Sequence, residues 1–162
     1  MTAREIAMAS SRNTLLKRRW LGAWIDFMVC FGIMVVVAAF FQGRSDNAVA
    51  ENLVLDFDIL LVALYFIVME AKLGWTIGKL VARTRVVDES GGLPSIKAAV
   101  LRTLLRVIEV NPLLLGGIPA GLAVNYSQAR QRLGDMAAGT YVLLKKDLAK
   151  LHSERETVSV FA

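Results

Sequence analysis

The sequence has few of the residues that build metal sites and catalytic centres. Its 162 residues include one cysteine and one histidine. Cys30 lies alone in an apolar run, which excludes an intrachain disulfide framework and a thiolate metal cluster. His152 lies in a charged tail, and no Ser-His-Asp or Cys-His set accompanies it. We therefore predict a protein that is not an enzyme, with no metal ligands and no cofactor.

Charged residues are also scarce, and this scarcity indicates the class of protein. They make up 20% of the chain while hydrophobic residues make up 56%, against about 25% and 45–50% in soluble domains. The net charge is +5, but the basic residues flank apolar blocks and form no patch with aromatics. Such flanking is typical of membrane anchoring. The predicted partner is the lipid bilayer and not nucleic acid.

Two apolar blocks are long enough to cross a bilayer, at 20–41 and 53–69. At 1.5 Å per residue the first can cover a hydrocarbon core of about 30 Å. A polar loop at 42–52 joins them. Asp56 and Asp58 fall in the first turns of the second block, so we expect them at its outer mouth and not in a metal site.

A third apolar region at 96–124 is interrupted by Asn111 and Pro112, a pair that disfavours continuous helix. Three full spans would place the basic C-terminal part outside, against the positive-inside rule. We therefore favour a re-entrant hairpin over a third span, which leaves short strands at 84–87 and 140–144 free to pair. The predicted fold is an all-α integral membrane protein with two full transmembrane helices, this broken third membrane segment and a small cytoplasmic β element.

Three motifs follow one another in a specific order. Near the first span, Arg19 and Asp26 are seven positions apart, with Gly22 and Ala23 between them. The middle stretch LGWTIGKLVARTRVVDESGGLPSIKAAVLRTLLR supplies Thr76, Gly78, Lys79, Val87, Asp88, Gly91 and Arg102. The closing stretch RQRLGDMAAGTYV supplies Asp135, Gly139 and Thr140.

This order of motifs resembles the RDD family of membrane proteins, named for one arginine and two aspartates. In the family's first motif an alanine stands three positions after the arginine, whereas here Gly22 takes that place and Ala23 follows. The resemblance divides the chain into a polar lead-in at 1–15, an RDD membrane domain at 16–144 and a charged tail at 145–162. It implies a multi-pass protein of the bacterial inner (cytoplasmic) membrane, with transport of an unidentified ligand as the suggested role.

Asp26 is an acid within the first apolar block, about 10 Å along the helix axis from Arg19. A charged aspartate near the centre of a spanning helix costs about 2.5–3.5 kcal/mol. We therefore expect it to face the bundle interior and to meet a partner there. The candidates are Arg102, Arg106, Lys79 and Thr76. Arg19 is expected to extend to the lipid headgroups. Whether Asp26 only clamps helices together or helps to move a proton, ion or solute stays open.

Arg102, Arg106 and Glu109 share one helix face by their i, i+4, i+7 spacing. That face is either solvated at the membrane surface or lines a polar cavity opposite Asp26. Glu70, which closes the second apolar block, is expected at the interface.

The remaining motif residues are interpreted as structural. These residues are Thr76, Gly78, Lys79, Asp88, Asp135, Gly139 and Thr140. Gly78 and Lys79 are expected to shape and anchor a turn, and Asp135 to cap a helix or pair with a nearby arginine. A phosphate-loop interpretation of Gly74 to Lys79 fails, because only three residues separate Gly74 from Gly78 and no Ser or Thr follows Lys79.

Two functions are compatible with these residues. The first is a transporter or channel component for an ion or small polar solute, with Asp26, Arg19, Arg102, Arg106 and Glu109 as candidate pathway residues. Because two spans and a hairpin form a thin pathway, this function favours a homo-oligomer. The alternative is a membrane regulator or assembly factor that moves no substrate and binds another membrane protein.

Overall fold

The computed structural model describes residues 2–41, 48–109 and 118–160. Three helices open the fold: α1 spans Ala3–Ala9, α2 spans Arg12–Phe41 and α3 spans Ala48–Leu73. Thr2 begins α1 with a capping box, because its hydroxyl accepts from the Glu5 amide while the Glu5 carboxylate accepts from the Thr2 amide. α1 packs beneath the long helices rather than between them.

Helices α2 and α3 are the two elements long and apolar enough to cross a membrane in the described part of the chain. They contain 30 and 26 residues, or about 45 and 39 Å of helix. Both begin earlier than the predicted spans at 20–41 and 53–69. In α2, the good helix formers around Lys17 and Arg18 continue the helix through the polar flank. Their outer faces stay apolar and exposed, as lipid contact requires; Trp24, Phe31 and Phe40 are examples.

Shorter elements follow the long helices, and of these α4 packs against α2 and α5 against α3. They are α4 Ile77–Val81, β1 Thr84–Val87, α5 Ile96–Glu109, α6 Ile118–Tyr126, α7 Leu133–Ala137, β2 Tyr141–Leu144 and α8 Lys145–Val160. The two strands pair antiparallel, with Thr84 opposite Leu144 and Val87 opposite Tyr141. Helices α1 and α8 cover this two-stranded sheet through a core that includes Ala3, Leu143 and Leu151.

Neither α5 nor α6 crosses a bilayer alone. They contain 14 and 9 residues, about 21 and 13 Å, against a hydrocarbon core of about 30 Å. The predicted break at Asn111 and Pro112 lies outside the described residues, as do 42–47 of the predicted polar loop and the side chain of His152. Helix α5 packs along α3 and against α7, and this packing brings its charged face inward.

Candidate functional site

Asp26 is buried, and its carboxylate accepts three hydrogen bonds from uncharged donors. Oδ2 accepts from the Thr76 hydroxyl at 2.6 Å. Oδ1 accepts from the Gly78 amide and the Tyr65 hydroxyl, each at 2.9 Å. Tyr65 in turn accepts from the Ile77 amide at 3.0 Å. The acid therefore caps the N-terminus of α4, where the helix dipole favours negative charge.

Of the four partners predicted for Asp26, Thr76 is the one found at hydrogen-bonding distance among the described residues. The cations of Lys79, Arg102 and Arg106 bind other carboxylates instead. The sequence favoured a cation because it placed the acid in hydrocarbon. The structure instead folds α4 back against α2, so that the end of a second helix supplies the donors.

Gly78 allows this close approach of two backbones. A Cβ at position 78 would overlap the carbonyl oxygen of Gly22 and lie 2.8 Å from Cγ of Asp26. A Cβ at Gly22 would lie 3.2 Å from the carbonyl oxygen of Gly78. Glycine at both positions therefore brings the α4 amide within reach of the α2 carboxylate.

Glu70 is the centre of an ion-pair network. Its carboxylate pairs with the Lys79 ammonium, with Arg102 Nε at 2.7 Å and with Arg106 Nη2 at 2.7 Å. The residue is fully buried, so the prediction that it lies at the interface is wrong. That prediction was made because Glu70 follows the end of the apolar block. In the structure α3 continues to Leu73, and the cations of α4 and α5 converge on Glu70.

Asp135 is the second acid of this network. It pairs with Arg19 Nη2 and Arg102 Nη1, each at 2.5 Å, and accepts from the backbone amide of Arg132 at 3.0 Å. Both structural roles predicted for it, capping and arginine pairing, are therefore present. Arg19 does not extend to the headgroups as predicted: its side chain is only 8% exposed, because Asp135 and the carbonyl oxygen of Arg130 hold its guanidinium inside.

Arg102 joins the two acids into one network, which comprises Arg19, Glu70, Lys79, Arg102, Arg106 and Asp135. It also donates to the Thr140 hydroxyl at 2.6 Å. Burial lowers the pKa of Arg102, but Asp135 and Glu70 outweigh burial and raise it above its ordinary value. Burial likewise raises the pKa of Asp135, but Arg102, Arg19 and Arg132 hold it well below its usual range. Both groups are therefore charged at neutral pH.

The charged face predicted on α5 points into the protein. Arg102 and Glu109 are buried, which excludes the solvated surface among the two alternatives. Glu109 accepts from the Gly134 amide at 2.9 Å and so fixes α7 to α5. Arg106 stacks on the Phe66 ring, with its guanidinium carbon 3.7 Å from the ring centroid.

A cavity of about 550 Å³ lies between the facing sides of α2 and α3. We call it the interhelical cavity. Its charged lining residues are Arg19, Asp26, Asp58, Lys79, Arg106 and Arg132. Thr103, Arg106 and Val107 of α5 form part of its wall, and apolar side chains of α2 and α3 form most of the rest. Of the predicted pathway residues, Arg19, Asp26 and Arg106 thus reach the cavity, while Arg102 and Glu109 belong to the packing behind it.

Asp58 is the lining acid that sequence reasoning placed at the outer mouth. It is the eleventh residue of α3 and only 6% exposed. Its Oδ1 atom has no hydrogen-bond partner among the described residues. The available signal was helical spacing, because Asp58, Val62 and Phe66 recur at intervals of four and share the cavity-facing side of α3. Asp56, two residues earlier, is exposed.

Two further motif residues shape turns away from the interhelical cavity. Asp88 accepts from the Gly92 amide at 2.8 Å and from the Ser90 hydroxyl at 2.7 Å, and so closes the turn after β1. Gly139 has a φ of +60°, a left-handed conformation that favours glycine, immediately before Thr140 and β2. These positions organise the backbone and hold no ligand-facing group.

Replacing Asp26 by asparagine is expected to lower the free energy of unfolding by about 2 kcal/mol, because the amide nitrogen would face a donor of α4. The measurement is thermal unfolding of the purified protein in detergent. Asp56→Asn is the matched control, since an exposed substitution changes stability by about 0.5 kcal/mol or less. Equal melting temperatures of the two variants would contradict the capping role.

Neither a search of curated proteins nor a search of solved structures gave a match. Comparison with protein families did, and it confirms the resemblance carried by the three motifs. Arg19, Asp26 and Asp135 all lie inside the matched region. The sequence model of the RDD family matches residues 14–139, most of the chain, and this chain, with its two helices long and apolar enough to cross a bilayer, is therefore a membrane protein of the RDD family.

Proposed function

We propose that this chain is a component of a transporter or channel for an ion or small polar solute. The observation that carries the proposal is the interhelical cavity, about 550 Å³ in volume, which places Asp26, Asp58 and Arg106 between two helices long enough to span a bilayer. Ionisable groups inside a membrane segment are costly, and they generally line ion or solute pathways.

The two acids of the interhelical cavity differ in the hydrogen bonds that their carboxylates accept. Asp26 is held by three donors, so its part is to fix α4 against α2. Asp58 has an oxygen without a partner among the described residues. A buried unsatisfied oxygen is stabilised by protonation or by a ligand. Asp58 is therefore the acid that we place in the pathway.

The proposal includes a location and an orientation. The location is the bacterial inner membrane, with α1, α4, the two strands, α7 and α8 on the cytoplasmic side. Lys17, Arg18 and Arg19 precede the apolar part of α2, which favours the cytoplasm for that end. Since two spanning helices enclose only a thin pathway, a second copy of the chain is expected to complete it. The proposal contains no catalytic step, metal or cofactor.

Flux through proteoliposomes tests the function. The panel consists of labelled sodium, rubidium, chloride and small carboxylates, with a pH-sensitive dye for protons. We expect the wild-type chain to move at least one of them and Asp58→Asn to reduce that flux about tenfold, or 1.4 kcal/mol in barrier height. Asp56→Asn, on the same helix but exposed, should keep the flux. Equal loss in both variants, or none in either, would remove Asp58 from the pathway.

A non-transporting regulator or assembly factor is the second candidate. The observation that favours it is the core in which α1 and α8 cover the two-stranded sheet of β1 and β2. Such a layer can present a surface to another membrane protein. Absence of flux over the whole panel, together with one membrane protein that co-purifies at fixed stoichiometry, would support this function over transport.

A further inference from the structure

With Asp26 counted, the polar end of the interhelical cavity still has more positive than negative charge. In the part of the chain that the structure describes, Arg19, Lys79, Arg102 and Arg106 share only two carboxylates in their ion pairs, those of Glu70 and Asp135. Three of these four cations also line the cavity. An excess of buried cations is stabilised by an anion, because each unpaired buried charge is costly.

Arg106 has a donor available for such an anion. Its Nη2 atom donates to Glu70, whereas Nη1 is buried and has no acceptor among the described residues. The guanidinium plane is fixed in place by its stacking on Phe66 at 3.7 Å. A planar, pre-positioned guanidinium favours binding of a carboxylate.

Arg132 adds a further cation to the same end of the cavity. Burial lowers its pKa to about 10, and the neighbouring positive charge of Arg19 contributes to the lowering. Asp135 acts in the opposite direction without cancelling these effects. The group remains protonated at neutral pH but experiences a positive potential, which an incoming anion would relieve.

Away from these cations the walls of the cavity are apolar apart from Asp58. The apolar residues that α2 and α3 contribute include Phe27, Met34, Leu55, Ile59, Val62 and Phe66. Asp58 lies eight residues from Phe66 along α3, or about 12 Å, so it leaves the arginine end free. A ligand that matches both parts has one anionic group and an apolar body.

We propose that the interhelical cavity binds an organic monoanion with an apolar body. Its carboxylate lies between Arg106 and Arg132, and its hydrocarbon part lies along the facing sides of α2 and α3. The inference names the substrate class of the proposed transport function and rests on that function for passage across the membrane. Binding itself can be measured without any flux.

Cys30 provides the measurement, because it lines the cavity and is the single cysteine of the chain. The full chain in detergent is labelled with N-ethylmaleimide in the presence of phenylbutyrate. The unliganded fraction falls as ligand concentration rises past Kd, so we expect about tenfold slower labelling at roughly ten times Kd. Phenylbutylammonium has the same apolar body with the opposite charge and should not protect. Acetate has the same carboxylate without the body and should not protect either.

Two variants test the arginines. Arg132→Gln and Arg106→Lys should each weaken protection by at least about tenfold in Kd. Arg106→Lys keeps a positive charge for Glu70 and so decides the question if Arg132→Gln fails to fold. Lys97 is an exposed cation of α5. In the Lys97→Gln variant, phenylbutyrate should protect Cys30 from labelling as it does in the wild-type chain. Protection by phenylbutylammonium equal to that by phenylbutyrate, or full protection in both arginine variants, would overturn the proposal.

The outcomes separate this inference from the proposed function. Protection by phenylbutyrate without flux of any solute would keep the anion site and remove the transporter. Flux of sodium or rubidium without protection would keep transport and remove the anion site. Protection together with flux of phenylbutyrate across proteoliposomes would support both.

Discussion

Replacement of Arg102 by alanine is expected to lower the free energy of unfolding by about 3–5 kcal/mol, the largest effect of any single substitution considered for this chain. Arg102 is buried and pairs with Glu70 at 2.7 Å and with Asp135 at 2.5 Å. Its removal weakens the compensation of both buried carboxylates at once and leaves the Thr140 hydroxyl without this donor. Denaturant or thermal unfolding in detergent, followed by circular dichroism, measures the loss.

Lys97→Ala is the matched control for this substitution, since Lys97 lies on the same helix and is exposed. Its effect on stability should be about 0.5 kcal/mol or less. The comparison measures the cost of truncating Arg102. That cost includes the penalty of leaving two buried carboxylates with less compensation, so it is not the net contribution of the ion pairs to stability. If Arg102→Ala unfolds at the same denaturant concentration as Lys97→Ala, the ion-pair network does not hold α3, α5 and α7 together.

Gly78→Ala is expected to lower the free energy of unfolding by about 3 kcal/mol, the upper end of the usual cost of overpacking. The added methyl group would overlap the carbonyl oxygen of Gly22 and approach Cγ of Asp26 to 2.8 Å. The neighbouring atoms belong to backbone and to a fixed carboxylate, so they have little freedom to move. α4 must therefore shift away from α2, and the hydrogen bond from the Gly78 amide to Asp26 is lost with it.

Gly32→Ala should not lower the free energy of unfolding and is expected to raise it slightly. A Cβ at Gly32 meets nothing within 4 Å, and alanine in a helix interior is favoured over glycine by about 0.5–1 kcal/mol. Both variants add the same methyl group, so the melting temperature should fall for one and stay or rise for the other. A similar decrease in both would show that the contact between α2 and α4 tolerates a side chain.

The parts of the fold that depend on local composition were predictable from the sequence. The two long helices follow from uninterrupted apolar runs, and β1 follows from a short β-branched segment before a turn. Contacts between distant segments were harder to predict. The acid of Asp26 indicated a buried partner, but nothing in its surroundings indicated that a five-residue helix would fold back and present the amide of Gly78.

The same reason explains the errors at Arg19 and Glu70. Each lies where an apolar block meets a polar flank, and a residue at that position usually contacts headgroups. Arg19 is 116 positions from its partner Asp135, and Glu70 is 32 positions from its partner Arg102. The burial of Asp58 was not predicted, because the start of α3 was expected several residues too late. The interhelical cavity depends on how α2 and α3 face each other, which helical spacing indicates only after both helices are located.

The partners of Asp26 have a consequence for biogenesis. Thr76 follows Asp26 by 50 positions, and translation adds about 5–20 residues per second. The nascent α2 segment therefore spends several seconds with an uncapped carboxylate, at an insertion cost of about 2.5–3.5 kcal/mol while it lies in lipid. Until α4 emerges, this acid lacks the donors of Thr76 and Gly78, so the first helix reaches its final packing only after the second has been synthesised.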